Sequence, residues 1–147
     1  MLKLNNANGR ETSLLDEESM RALLDQACYA RGFAGGATAL LIALDQGAAY
    51  ANPNFAWCQQ RRESFVYIDR VIVAEAGRGR GLGRELYGDL FAAARRAGHD
   101  RVVCEVNLDP PNPASEAFYV AMGFRPIGEA TIYEGKKTVR YFEKLLT

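Results

Sequence analysis

Between Val71 and Phe91 the chain reads VIVAEAGRGRGLGRELYGDLF, and no other stretch limits the fold as much. A short apolar run gives way to glycines at 77, 79, 81 and 83, separated by Arg78, Arg80 and Leu82. A helical pattern then begins at once, with Leu86, Leu90, Ala93, Ala94 and Ala97 at spacings that share one face. A glycine gives up more backbone freedom on folding than any other residue, so this density implies that something must approach bare main chain. A helix N-terminus supplies unpaired N–H groups and roughly half a positive charge, which together attract anions. Arg78, Arg80 and Arg84 add formal charge on the same turn. The pattern predicts a strand, a loop and a helix that hold a pyrophosphate. A flexible solvated connection, the plainer alternative, needs only one glycine or two.

Any such positive field must be local, because Lys plus Arg and Asp plus Glu both number 18. That balance gives no global reason to expect nucleic acid or a membrane surface. The 147 residues carry no internal repeat or low-complexity linker and read as a single domain over 1–147. Apolar residues at 48% and charged residues at 24% match an ordinary soluble globular protein. The longest apolar stretch, around Ala37 to Leu44, is too short to span a bilayer, and MLKLNNANGR turns polar too soon for a signal peptide. Cytoplasm is the expected location. Cys28, Cys58 and Cys104 are widely separated with no CxxC pair, so neither a disulfide framework nor a metal site is expected. The only histidine, His99 in RAGHDR, reads as a solvated turn residue rather than a triad member.

From Asp16, DEESMRALLDQACYAR places Met20, Leu23, Leu24, Ala27 and Cys28 at helical spacing, with Gly32 just past the end. ATALLIAL before DQG reads as a buried strand. AAYANPNFAWCQQRRE shows no clean period and reads as a loop with at most one helical turn. SFVYIDRVIV and RVVCEV are strands, PASEAFYVAMGF is a short helix stopped by Gly123, and ATIYEGKKTVRYFEKLL alternates about EGKK like a hairpin. The order is helix, strand, loop, strand, helix, strand, helix and two strands. This predicts an α/β or α+β domain around one mixed sheet.

Three phosphate-binding designs compete for the glycine loop. A P-loop requires a lysine and then Ser or Thr after the last glycine, which GLGRE lacks. A dinucleotide fingerprint wants GxGxxG directly after the strand; here Gly79, Gly81 and Arg84 give GxGxxR, although Glu105 is roughly placed for its acidic residue. The third design is a resemblance. VIVAEAGRGRGLGREL resembles the coenzyme A loop of the GNAT N-acetyltransferases, (Q/R)xxGx(G/A) at a helix start, through Arg78, Gly81 and Gly83. A second motif of that superfamily, Asn, Tyr seven residues on, then GF, is similar to Asn112, Tyr119, Gly123 and Phe124. The likeness is strong from Phe65 to Ile127, and YIDRVIV and CEVNLDPPNPASEAFY are similar to a poorly characterised bacterial subgroup.

The resemblance implies a GNAT fold: a mixed, mostly antiparallel central sheet flanked by helices and splayed between its fourth and fifth strands. The strand before the glycine loop would carry a bulge and diverge from Arg101–Val106 to open a V-shaped cleft. Acetyl-coenzyme A would be the acyl donor, its arm bonding the backbone of Val71 and Val73 and its pyrophosphate the amides of Gly79, Arg80, Gly81, Leu82, Gly83 and Arg84, with Arg78 beside them. The amide of Val73 would polarise the thioester carbonyl. Asn112 and Ser115 would flank the cofactor, although NPAS is also an ordinary helix start.

The implied reaction is direct transfer of an acetyl group to an amine. An alkylamine of pKa near 10 is about one part in a thousand neutral at pH 7, a handicap of roughly 4 kcal/mol, about twice that of a thiolate leaving group. Strand alternation puts Asp69 and Tyr67 on one face with Val71 and Val73, which makes Asp69 a candidate to receive the proton; an ion pair with a neighbouring arginine is its alternative. Tyr119 matches the position that protonates the departing thiolate, against simple packing in AFYVAMGF. Nothing beside Cys104 suggests thiolate activation, which disfavours an acetyl-cysteine route. Tyr50, Phe55, Trp57 and Tyr133 either line an acceptor pocket or belong to the core. The acceptor is an amine on a small molecule or a peptide terminus, with no nucleic acid or membrane partner, and a homodimer stays open. A non-catalytic acyl-coenzyme A sensor and an RNA-binding patch built on GRGRG are the readings from other classes.

Overall fold

The structure is a computed structural model and describes residues 16–33, 38–109 and 111–146. MLKLNNANGR, read above against a signal peptide, and Ala37 lie outside them. Helix α1 (Glu17–Gln26) starts where Asp16 accepts the N–H of Ser19 at 2.7 Å, and it buries Met20 and Leu23. It stops short of the expected end. Ala27 is already extended, Cys28 donates its N–H to the Ala43 carbonyl, and Tyr29–Phe33 forms strand β1 on the edge of the sheet. Pairing with a fully buried neighbour thus overrides the helical spacing of Ala27 and Cys28.

That neighbour is β2 (Ala39–Asp45), whose side chains are buried from Ala39 to Leu44. The segment expected to be irregular contains a two-turn helix, α2 (Pro53–Gln59), because Asn52 accepts the N–H groups of Asn54 and Phe55 and Pro53 needs no donor partner in the first turn. Next come β3 (Val66–Val73), a 3₁₀ turn (Glu75–Gly77), α3 (Leu82–Arg96), β4 (Arg101–Asn107), α4 (Pro113–Ala121), β5 (Arg125–Ile132) and β6 (Lys137–Leu145). Among the described residues no helix is long and apolar enough to cross a membrane.

The six strands form one sheet in the order β1-β2-β3-β4-β6-β5, antiparallel except at β3–β4. Helix α3 covers one face with Leu86, Tyr87 and Leu90, joined by Tyr119 of α4; Met20, Leu23, Phe55 and Cys58 of α1 and α2 cover the other. The parallel pair holds only at Val66–Val102 and Tyr67–Val103, after which the two strands part. The strands that splay are the expected ones, but they are the third and fourth of the described strands rather than the fourth and fifth, because only β1 and β2 precede β3 there. The closed end is pinned by Glu143 of β6, fully buried, which accepts from Arg101 at 2.6 Å and from Arg62 at 3.1 Å.

Strand β3 also carries the expected bulge. Ile42 and Ala43 are adjacent on β2, yet they oppose Arg70 and Ile68, which leaves Asp69 as the extra residue. The bulge reverses the side-chain phase. Val66, Ile68, Val71 and Val73 all pack toward α3, whereas Tyr67 and Ile72 pack on the opposite face, so the expected sharing of one face by Tyr67, Asp69, Val71 and Val73 does not hold.

Candidate active site

Two cavities meet in the splay. The first, about 430 Å³, runs from Val71 and Val73 over Arg78, Gly79 and Gly81–Arg84 to Ser115, Phe118 and Tyr119. Glycines 77, 79, 81 and 83 leave main chain bare along it. Ala74 donates to the Thr38 carbonyl on the β2 side, so by strand alternation Ile72 also faces β2, and Val71 and Val73 direct their N–H and C=O groups into the gap. Gly79 and Gly81 stand at φ of 77° and 74°, the left-handed region that favours glycine. Gly77 is bare for a different reason, since a Cβ there would lie 2.6 Å from the Thr38 side chain.

Gly81 is also the N-cap of α3, so no side chain caps that helix and its first amides remain available. Arg78, Arg80 and Arg84 are exposed and form no ion pair among the described residues; Arg78 reaches back to the Val73 carbonyl and Arg84 lies over the Phe118 ring. A bare, cationic helix start beside an unpaired strand edge fits a long ligand with a diphosphate.

The second cavity, about 460 Å³, is lined by the polar residues Asp69, Arg70, Glu105, Asn107, Asn112 and Lys137, with Val71, Ser115 and Tyr119 shared with the first. Asp69 accepts from Tyr50 Oη and from Arg70 Nε, each at 2.6 Å, so both carboxylate oxygens are engaged. Glu105 differs. Its Oε1 accepts from Tyr67 Oη and from Asn54 Nδ2, each at 3.0 Å, while its Oε2 is buried without a hydrogen-bond partner among the described residues. Burial pushes the Glu105 carboxyl up to about 8, against the opposing pull of the Tyr67 hydroxyl and Lys137. Asn54 is in turn fixed by Tyr141, whose hydroxyl donates to its Oδ1 at 2.8 Å.

Tyr119 stands where the cavities join, its hydroxyl 2.7 Å from that of Tyr87. Burial, together with Tyr87 and Cys104, holds its phenol well above the usual range, so it keeps its proton near neutrality. Cys104 is likewise pushed far above an ordinary thiol by burial. Asn112 caps α4 by accepting the Ser115 N–H at 3.3 Å while lining the second cavity.

The aromatic residues expected either in a pocket or in the core line neither cavity. Phe55 is fully buried, Trp57 stacks on Tyr141 at 3.9 Å, and Tyr133 is exposed on the β5–β6 turn. Tyr50 acts instead on Asp69. Sequence reasoning weighed Glu105 only as the acid of a dinucleotide fingerprint and passed over Tyr87 and Lys137 altogether. The one available signal for Glu105 was an acid inside an apolar strand.

The acetyltransferase (GNAT) family profile matches residues 18–124, and the chain belongs to that family. Acetyl-coenzyme A is the acyl donor that accompanies this membership. Among solved structures the chain is similar to the NatC complex bound to Gag peptide and CoA, at 17% identity over 99% of this chain and 87% of that one, TM-score 0.70. It is similar also to the ribosomal-protein-alanine N-acetyltransferase from Brucella melitensis, at 19% identity over 99% and 91%, TM-score 0.67. Nourseothricin acetyltransferase matches at 21% identity over 79% of this chain, TM-score 0.56, and the chain spans only 62% of that protein's length. Two further matched acetyltransferases hold acetyl-coenzyme A. No curated protein sequence matches the chain.

Proposed function

We propose that the protein acetylates a primary amine by direct transfer, with the donor along the glycine loop and the acceptor in the splay. The observation that carries this reading is the meeting of a glycine-rich cavity and a cavity bearing charged side chains at Val71, Ser115 and Tyr119. When bound, acetyl-coenzyme A supplies an activated thioester. The amides from Gly79 to Arg84 and the side chains of Arg78, Arg80 and Arg84 bind the diphosphate. The gap-facing backbone of Val71 and Val73 orients the arm and aims the carbonyl, while Asn112 and Ser115 border it from α4.

Glu105 takes the proton from the acceptor ammonium. It has an unengaged oxygen, which Asp69 lacks, and its own proton affinity lies close to working pH. Asp69 serves the alternative weighed for it, a buried ion pair with Arg70, and thereby holds Tyr50 in place. Tyr119 holds a proton ready for the leaving sulfur. The raised Cys104 thiol sits poorly with a covalent route.

Calorimetric titration with acetyl-coenzyme A and, separately, NAD tests the donor half; saturation by NAD alone would overturn the reading. Glu105→Gln tests the acceptor half. Turnover measured by released thiol should fall about 100-fold, and the rise of kcat/KM toward pH 8 should flatten. An unchanged pH profile would remove Glu105 from the reaction.

A further inference from the structure

The splay cavity contains a charge that the reaction just described does not use. Of its cationic lining residues, Arg70 is buried and bonded to Asp69, and that pair is neutral as a unit. Lys137, the first residue of β6, is half-buried, and no hydrogen bond or ion pair holds its ammonium among the described residues. The hairpin fixes its backbone opposite Ile132, and its field reaches Glu105 across the cavity. Asn107, Asn112, Ser115 and Tyr119 add no charge. With Glu105 ionised, as it must be to accept a proton, the lining therefore offers one negative charge, on Glu105, and one positive charge, on Lys137.

A simple alkylammonium answers Glu105 alone and leaves Lys137 without a counter-charge. An acceptor that carries its own anion answers both, because the anion meets Lys137 while the amine meets Glu105. Lysine suits this task as a compact point charge on a flexible stem. The cavity, about 460 Å³, is of small-molecule size. Asn107 and Asn112 line the same cavity and carry amide donors that suit a carboxylate oxygen.

We propose that Lys137 recognises a carboxylate on the acceptor, so that the substrate class is a small amino carboxylic acid rather than a simple amine or an uncharged peptide terminus. This rests on the acetyltransferase reading. The ammonium loses one proton to Glu105; its nitrogen then bonds the carbonyl carbon as the carbon–sulfur bond breaks, Tyr119 gives its proton to the departing sulfur, the nitrogen's second proton replaces the one Tyr119 gave, and the carboxylate is unchanged.

The test is a panel of protein-forming L-α-amino acids with β-alanine and γ-aminobutyrate, each paired with its carboxamide, assayed by released thiol after acetyl-coenzyme A binding is confirmed calorimetrically. At least one acid should exceed its amide by 10-fold or more in kcat/KM, expressed mainly in KM. Lys137→Ala should erase that ratio, Lys137→Glu should reverse it in favour of the amide, and Lys137→Arg should retain most of it. Thermal melts of the three variants separate recognition from misfolding, and the ratio is internal to each protein. Equal use of acids and amides, or turnover of amides alone, overturns this proposal while leaving the acetyltransferase reading intact. Absence of acetyl-coenzyme A binding overturns both.

Discussion

The two cavities of the cleft have similar volumes, about 430 and 460 Å³, and are built in opposite ways. The glycine-loop side presents bare main chain: an unpaired strand edge, two left-handed glycines and a helix start with no side-chain cap. The splay side is made of side chains drawn from β3, β4, α4 and β6 and braced by Asn54 and Tyr141. A backbone surface can bind a ligand common to many relatives while side chains vary around it. A side-chain surface carries the discrimination between acceptors. Substitutions should therefore divide by cavity, with Tyr119 the point where the division fails.

The largest effect is expected there. Tyr119→Phe removes the hydroxyl of a residue that lines both cavities and should lower kcat by 100-fold or more, with little change in KM for either substrate. It also strips the Tyr87 hydroxyl of its partner, so a stability loss of about 1–2 kcal/mol should accompany it in denaturant melts. If KM for acetyl-coenzyme A rises while kcat holds, Tyr119 belongs to the donor cavity alone.

The next effect concerns stability against pH on the splay side. The folded protein holds the Glu105 proton with a pKa of about 8, against an ordinary carboxylate value near 4.5. Between those values the folded state binds more protons than the unfolded state, so this group contributes stability fully below about pH 4.5 and loses it as pH rises toward 8. Each unit of difference corresponds to about 1.4 kcal/mol. Glu105→Gln, neutral at every pH, should melt near the wild type at pH 5 and several degrees above it at pH 8.5. Parallel melting curves across that range would show that Glu105 ionises freely, and the splay would then lack its base.

How much of this was legible follows from the same contrast. The donor side lies in one stretch of sequence, so spacing alone exposed the strand, the loop and the helix, and the GNAT likeness to Arg78, Gly81 and Gly83 added the ligand. The splay side depends on contacts across 38 and 51 positions, Tyr67 and Asn54 with Glu105, which no local pattern contains. Strand alternation misjudged Asp69 because a bulge costs one residue of register, and nothing in the string VYIDRVIV marks Asp69 as the extra residue. The edge strand β1 was hidden because Ala27 and Cys28 continue a helical spacing that its pairing with β2 overrides. Helix α2 was the exception: Asn52 followed by Pro53 is a start signal that the surrounding aromatics obscured.

A smaller effect, confined to the donor side, is expected from Gly81→Ala. A Cβ at that position meets nothing within 4 Å, so there is no clash, and only the left-handed backbone at φ 74° opposes the substitution. The cost should be about 1 kcal/mol, with a several-fold rise in KM for acetyl-coenzyme A and an unaltered pH dependence of kcat. A changed pH dependence would mean that the two cavities are coupled through α3, which the contrast between them does not allow.

The smallest effect tests whether formal charge adds to what the main chain already supplies. Arg80 is exposed on the loop and pairs with no acid among the described residues, so its attraction for a diphosphate acts mostly through solvent. Screening shortens to about 3 Å at 1 M salt from about 30 Å at 0.01 M. Arg80→Ala should raise KM for acetyl-coenzyme A about threefold at low salt and should match the wild type at high salt, because the amides at the start of α3 act at contact and are screened far less. Should the difference survive at 1 M salt, Arg80 makes a direct bond to the bound diphosphate, and the donor side is less purely a backbone device than its geometry implies.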